Sequence, residues 1–237
     1  MQSKIEMGSS IFTSEEKMRQ PVARWMSSLG LAVKAEFVTP WGICDLVGSS
    51  PHKRNCSKRI RFRQTTPIAS LSRSALLLSI PDVASNETIS IPSLVDLFAP
   101  LIPEQTIISE TERLIKQRFV KCSGMRLQRL NGWMPLHKRL MAVELKLHRV
   151  DEALQQASAN LMFADESYVA LPYPLALRVH DRSRHWNEYF EHGVGLIAVS
   201  ARSCEIVKKS SHKSTKPDPV LQFYSVEKFW RSFLTSS

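Results

Sequence analysis

From Leu140 to His148 the sequence alternates: Met141, Val143, Leu145 and Leu147 are interleaved with Ala142, Glu144, Lys146 and His148. A period of two is that of a β-strand, whose successive side chains point to opposite faces. Glu144 and Lys146 therefore share a face, their Cα atoms roughly 6.5–7 Å apart, while Val143, Leu145 and Leu147 pack inward. A carboxylate and an ammonium on a central strand are costly unless they are paired or serve a metal. A second apolar run, Ile43-Cys44-Asp45-Leu46-Val47, also carries one acid. If the two strands are neighbours, Asp45 and Glu144 meet at one end of the sheet.

Around these strands the chain reads as α/β. Ser14 is a plausible N-cap for a helix over residues 15–29, with Met18, Val22, Trp25 and Leu29 at helical spacing, Pro21 inside and Gly30 closing it. Strand-like runs follow at 31–38 and 43–48, joined by Thr39-Pro40-Trp41-Gly42. After the 140–148 strand come an expected helix at 151–163, a strand at 168–171, a helix at about 181–191, a strand at 194–199 and a last helix at 225–234.

Between the two halves the rhythm changes. Arg59, Arg61 and Arg63 alternate with Ile60 and Phe62, as on a strand with one cationic face. Short and long helices are expected at 93–98 and 104–121, then a hairpin turning at Asn131-Gly132. Helix, helix, basic hairpin is the order of a winged helix-turn-helix, placed at 67–140. The expected division is 1–50 and 140–237 for the core, with 51–139 as a basic connection and insert.

The formal charge is +10, from 32 basic and 22 acidic residues. Such an excess attracts polyanions and releases counterions from phosphates. It is concentrated: seven Lys/Arg and no acid between Pro51 and Arg73, and ten Lys/Arg with Glu144 as the lone acid between Arg113 and Arg149. At 43% apolar and 23% charged residues the chain has the composition of a globular protein. No apolar run approaches the roughly 20 residues that cross a bilayer. Residues 1–14 lack a signal-peptide pattern, so a cytoplasmic location is expected. Cys44, Cys56, Cys122 and Cys204 are scattered without zinc-site spacing, so reduced thiols are expected.

Two convergent carboxylates form a hard oxygen site suited to Mg²⁺ or Mn²⁺. A neighbouring lysine can hold the attacking water or the scissile phosphate. Those parts suffice for phosphodiester hydrolysis. Asp45, then Glu144-Leu145-Lys146, then a helix bearing Gln156 resembles the PD-(D/E)xK, or restriction-endonuclease-like, nuclease superfamily. Pro21-Val22, Gly30, Cys44-Asp45-Leu46-Val47, Ala153-Leu154-Gln155-Gln156-Ala157, Ala164-Asp165, Tyr168-Val169-Ala170-Leu171-Pro172 and Gly193-Val194-Gly195-Leu196 extend the resemblance over about 15–50 and 140–200. Cys44 stands where the name-giving proline would be.

The resemblance implies a mixed sheet flanked by helices and metal-dependent cleavage of DNA. Asp45 and Glu144 would ligate Mg²⁺ or Mn²⁺, and Lys146 would position water or phosphate. Gln156 would orient substrate or Lys146. An acidic residue on the first helix would assist, Glu15 rather than Glu16, with Glu36 and His148 as lesser candidates. Double-stranded DNA is the expected partner, held by Arg59, Arg61 and Arg63, by Arg113, Lys116, Arg118 and Lys121 on the longer helix, and by Arg126 and Arg129 on the hairpin. A homodimer is compatible with the sequence. The alternative is a DNA-binding regulator or complex subunit that keeps the fold without turnover.

Overall fold

A computed structural model describes residues 12–130, 133–211 and 216–234. In chain order the elements begin with α1 (Glu15–Ser28), β1 (Ala32–Thr39), β2 (Gly42–Pro51), α2 (Lys53–Arg61) and α3 (Leu71–Ser79). Next are β3 (Ile89–Ser90), α4 (Ile91–Phe98), α5 (Glu104–Lys116), β4 (Val120–Ser123) and β5 (Arg126–Arg129). Then follow β6 (His137–Leu145), α6 (Val150–Asn160), β7 (Glu166–Pro172) and α7 (Tyr173–Asp181). The chain closes with α8 (Asn187–Glu191), β8 (Gly195–Val199), β9 (Cys204–Lys208) and α9 (Pro219–Leu234). It divides into two compact units, Met1–Gly48 with Leu140–Lys216, and Ser49–Arg139 with Pro217–Ser237.

The first unit is a mixed α/β structure on a six-stranded sheet ordered β1-β2-β6-β7-β8-β9. β6, β7 and β8 run parallel, and β9 is antiparallel to β8. A strand buried on both faces needs apolar residues at nearly every position, and β6 is buried without a break from Leu140 to Leu145. Its odd-numbered side chains Met141, Val143 and Leu145 pack with Met18, Val22 and Met26 of α1. Ser14 caps that helix, its hydroxyl accepting from Lys17 N. A Cβ on Gly48 would come within 2.7 Å of Met26 Cε, so glycine permits this close approach. On another cluster Ala153, Leu154 and Ala157 of α6 pack with Val169, Leu171, Leu196 and Ala198.

The second unit runs helix, strand, helix, helix, strand, strand from α3 to β5, with a three-stranded sheet ordered β3-β5-β4. Leu76, Leu94, Ile107, Leu114, Phe119 and Leu127 meet in its core. Among the described residues no helix is long and apolar enough to cross a membrane.

Several expectations need correction. The segment expected as a cationic strand is helix α2, started by His52, whose Nδ1 accepts from Asn55 N. The longer helix stops at Lys116, because Arg118 turns into the left-handed region and Phe119 N donates back to Leu114 O. Arg118 and Lys121 therefore lie beyond the helix. The hairpin β4–β5 pairs Ser123 with Arg126 and turns at Gly124, which has positive φ; Asn131-Gly132 lies outside the described residues. The range expected as one helix, 181–191, holds the last residue of α7, a short 3-10 turn and α8, and the rest of α7 was not anticipated. α3 and β9 were not anticipated. The last helix belongs to the second unit rather than to the core, because Phe223 enters that unit's apolar cluster and Glu227 its buried ion pair.

Candidate functional site

β2 and β6 are neighbours in the sheet, which brings Asp45 beside Glu144. The Leu145 N–H donates to Asp45 Oδ2 at 2.7 Å, so the carboxylate is fixed against the β6 backbone. Glu144 is 2% exposed. Its Oε1 accepts from the Asn160 side-chain amide at 2.6 Å. The Cys44 thiol completes the group: it lies 3.5 Å from Asn160 Nδ2 and donates to the Leu46 and Val143 carbonyls.

Burial, which disfavours the charged form, and then the neighbouring Asp45 carboxylate push the Glu144 carboxyl up to about 7; the Asn160 amide opposes that rise. Burial, reinforced by Glu144, likewise holds the Cys44 thiol well above its ordinary range. Cys44 is therefore a neutral packing residue here, not a thiolate.

Lys146 follows directly on the end of β6, its N–H still donating to Ala170 O at 3.2 Å. The side chain is buried, and its Nζ lies 3.4 Å from Glu152 Oε1. Glu152 also holds Arg149 at 2.8 Å. Glu152, Gln156 and Asn160 recur every fourth residue of α6 and form one stripe on that helix. At its two ends the stripe engages Lys146 and Glu144. Between them Gln156 buries its Oε1, which has no hydrogen-bond partner among the described residues. A polar atom so placed suits a ligand that donates.

The structure thus sets Asp45 beside Glu144, joins Glu144 to Asn160 and Lys146 to Glu152, and places Gln156 between those two partners along α6; Asn160 and Glu152 were omitted by the sequence reading. The missing signal was periodic: four and eight residues from Glu152 on a helix already assigned to the site. Glu15 sits half-buried in the first turn of α1. Among the described residues no three His, Cys, Asp or Glu side chains gather at metal-ligand spacing, so Glu15 completes no three-carboxylate set. Glu16 and Glu36 both pair with Arg19, and His148 is exposed. Asp45 and Glu144 offer the hard oxygen donors a divalent ion takes, and cation binding would offset the cost of ionising Glu144.

The basic residues divide. Arg59 is 2% exposed and makes a two-pronged ion pair with Glu227, at 2.7 and 3.2 Å, so it is not available to DNA. Arg129 is also committed inward: its guanidinium stacks 3.8 Å over Trp133 and donates to the Leu78 carbonyl at 3.3 Å. Arg61, Arg63, Arg113, Lys116, Arg118, Lys121 and Arg126 are exposed.

No protein-family model matches the chain. No curated protein matches it in sequence. A solved structure, the SPO1766 protein of unknown function from Silicibacter pomeroyi, is similar at 11% identity with a TM-score of 0.41, covering 95% of this chain and 90% of that one.

Proposed function

We propose that this protein is a metal-dependent nuclease hydrolysing phosphodiester bonds, with double-stranded DNA as substrate. The observation that carries the reading is a buried acid with no cationic partner among the described residues. Glu144, in the buried stretch of the central strand β6, is met by an amide and a second carboxylate, and its carboxyl is pushed up to about 7. An arrangement this unfavourable for folding is retained where a bound cation gives it purpose. Asp45 and Glu144 would hold Mg²⁺ or Mn²⁺, which supplies the Lewis acidity that makes water reactive near neutral pH.

Asn160 fixes one oxygen of Glu144, and Asp45 is set by the Leu145 N–H, so both carboxylates are oriented before substrate arrives. Lys146 would leave Glu152 to neutralise the scissile phosphate or steer the water. Gln156 would accept a proton-bearing group of that water or of the substrate. The order α1-β1-β2-β6-α6-β7 supports a restriction-endonuclease-like core. The order α3-β3-α4-α5-β4-β5 supports a winged-helix-like insert.

A second reading, a DNA-binding subunit without turnover, draws on the contact between Lys146 and Glu152 and on the absence of a three-acid group among the described residues. Plasmid DNA incubated with the purified protein and Mg²⁺, Mn²⁺ or EDTA separates the two. Cleavage is expected with either metal, and its loss in EDTA, in Glu144→Ala and in Lys146→Ala. Equal nicking by wild type and Glu144→Ala would refute the assignment, and binding without cleavage would favour the second reading.

A further inference from the structure

Helices α2 and α5 end in the same uncommon way. In each, the second residue past the helix turns into the left-handed region and is an arginine, Arg63 at φ 56° and Arg118 at φ 65°. The N–H groups of Arg63 and Gln64 close on the Ile60 and Arg59 carbonyls, and those of Arg118 and Phe119 on the Ile115 and Leu114 carbonyls. Glycine is the usual occupant of this position, since a Cβ is strained there. Gln64 Nε2 donates to the Arg118 carbonyl at 2.7 Å and ties the two helix ends together.

The joined ends form part of a cleft of about 520 Å³ whose lining includes Arg63, Thr66, Arg73, Arg113, Lys116 and Arg118. Glu110 engages Arg73 and, at 3.2 Å, Arg113, and so sets both guanidinium groups. Five cations thus face one carboxylate, an excess that water or an anion must balance. Cations near a helix C-terminus relieve its dipole, but Arg113 and Lys116 already do so from the last turn of α5. The dipole leaves unexplained why two strained positions carry arginine where glycine costs nothing.

We infer that this cleft of the second unit binds the phosphates of a nucleic-acid strand. Guanidinium groups match phosphate oxygens two at a time, and the Thr66 hydroxyl adds a neutral donor. The choice of nucleic acid over other polyanions rests in part on the nuclease reading; the anion site rests on the cleft itself. Thr66 and Arg73 thereby join the interface, and Arg59 and Arg129 leave it.

The strained backbone makes a clean test possible in the full chain. Arg63→Gly with Arg118→Gly removes two cations and relaxes two left-handed residues, so its Tm should equal or exceed that of the wild type. Binding of a fluorescent DNA duplex is followed by anisotropy over a salt series without divalent ions. Affinity at low salt should fall about tenfold or more, and the log–log salt slope should become shallower by about two. Lys116→Ala, a substitution at an exposed helix position, should flatten it by about one. Unchanged affinity and slope in a folded glycine pair would overturn the inference. So would duplex binding left intact while binding to phosphatidylserine vesicles is lost. Duplex bound through the cleft but left uncleaved once Mg²⁺ or Mn²⁺ is added would sink the nuclease reading alone. Cleavage with binding untouched by the glycine pair would sink the cleft alone.

Discussion

Glu227 and Glu144 are withdrawn from solvent almost equally, at 0% and 2% exposure, yet their surroundings are opposite. Glu227 receives both prongs of the Arg59 guanidinium and the Ile68 N–H at 2.8 Å. Arg59 in turn donates Nε to the Gln64 carbonyl at 2.9 Å and lies 4.7 Å over the Phe119 ring. Charge, donors and acceptors balance there. Glu144 receives the Asn160 amide and the Cys44 thiol, neither of them charged, and the charged group beside it is another acid, Asp45. Burying a charge is therefore not by itself a functional sign. An incomplete set of partners is the more informative feature, because a folded protein gains nothing from leaving it so.

The largest effect should come from breaking the complete pair. Arg59→Ala leaves Glu227 buried without its counter-charge, and should cost about 3–5 kcal/mol in urea unfolding. Arg59→Met together with Glu227→Leu should recover most of it. A loss below about 1 kcal/mol would dissolve the contrast between the two acids.

The incomplete site should behave in the opposite sense. The Glu144 carboxyl lies at about 7 in the folded chain against an ordinary 4.5. Below about pH 4.5 both states hold the proton, so the contribution of this group to stability is fully present. As pH rises towards 7 the unfolded chain releases its proton while the folded one must retain it. Stability therefore declines across that window, by on the order of 3 kcal/mol. Glu144→Gln should remove the decline and be more stable than wild type above pH 7 in EDTA. Parallel unfolding curves for the two proteins from pH 4.5 to 8 would contradict this.

Metal should reverse the penalty. At pH 8, Mn²⁺ at a hundredfold excess over its Kd should stabilise the wild type by about 2.7 kcal/mol. Glu144→Gln should gain much less, as read by the shift in Tm. Equal gains would place the ion elsewhere.

A smaller change sharpens the roles within the site. Asn160→Ala removes the donor that opposes the rise of the Glu144 pKa, at a cost of about 1–3 kcal/mol. The pH window over which stability declines should then extend further above 7 than in the wild type. Loss of stability with no movement of that window would make Asn160 a packing residue.

Much of the first unit was legible because its signals are local and periodic. The alternation across 140–147, the Ser14-capped helix and the acid in an apolar run at Asp45 each depend on residues a few positions apart. The second unit was harder to read. Arg59, Ile60, Arg61, Phe62 and Arg63 show a strand period, but the segment is a helix end that buries the arginine and leaves Ile60 64% exposed. The usual rule of apolar inside and charged outside fails at these positions, because the partner that allows Arg59 to enter the core stands 168 residues away. The longer helix ended early for a related reason: Arg118 occupies a left-handed position normally marked by glycine.

Sequence alone determined which segments could be strands and helices, where the core pattern breaks off and resumes, and which few charged residues stand in apolar strands. It also established the excess of positive charge. Tertiary structure decided which of those charges are satisfied. It placed Asn160 on Glu144, Glu152 on Lys146 and Glu227 on Arg59, and it assigned the last helix to the second unit. The physical reason is range. Backbone geometry and hydrophobic period act over one or two turns of chain, whereas the free energy of a buried charge depends on every group that folding brings within a few ångströms of it.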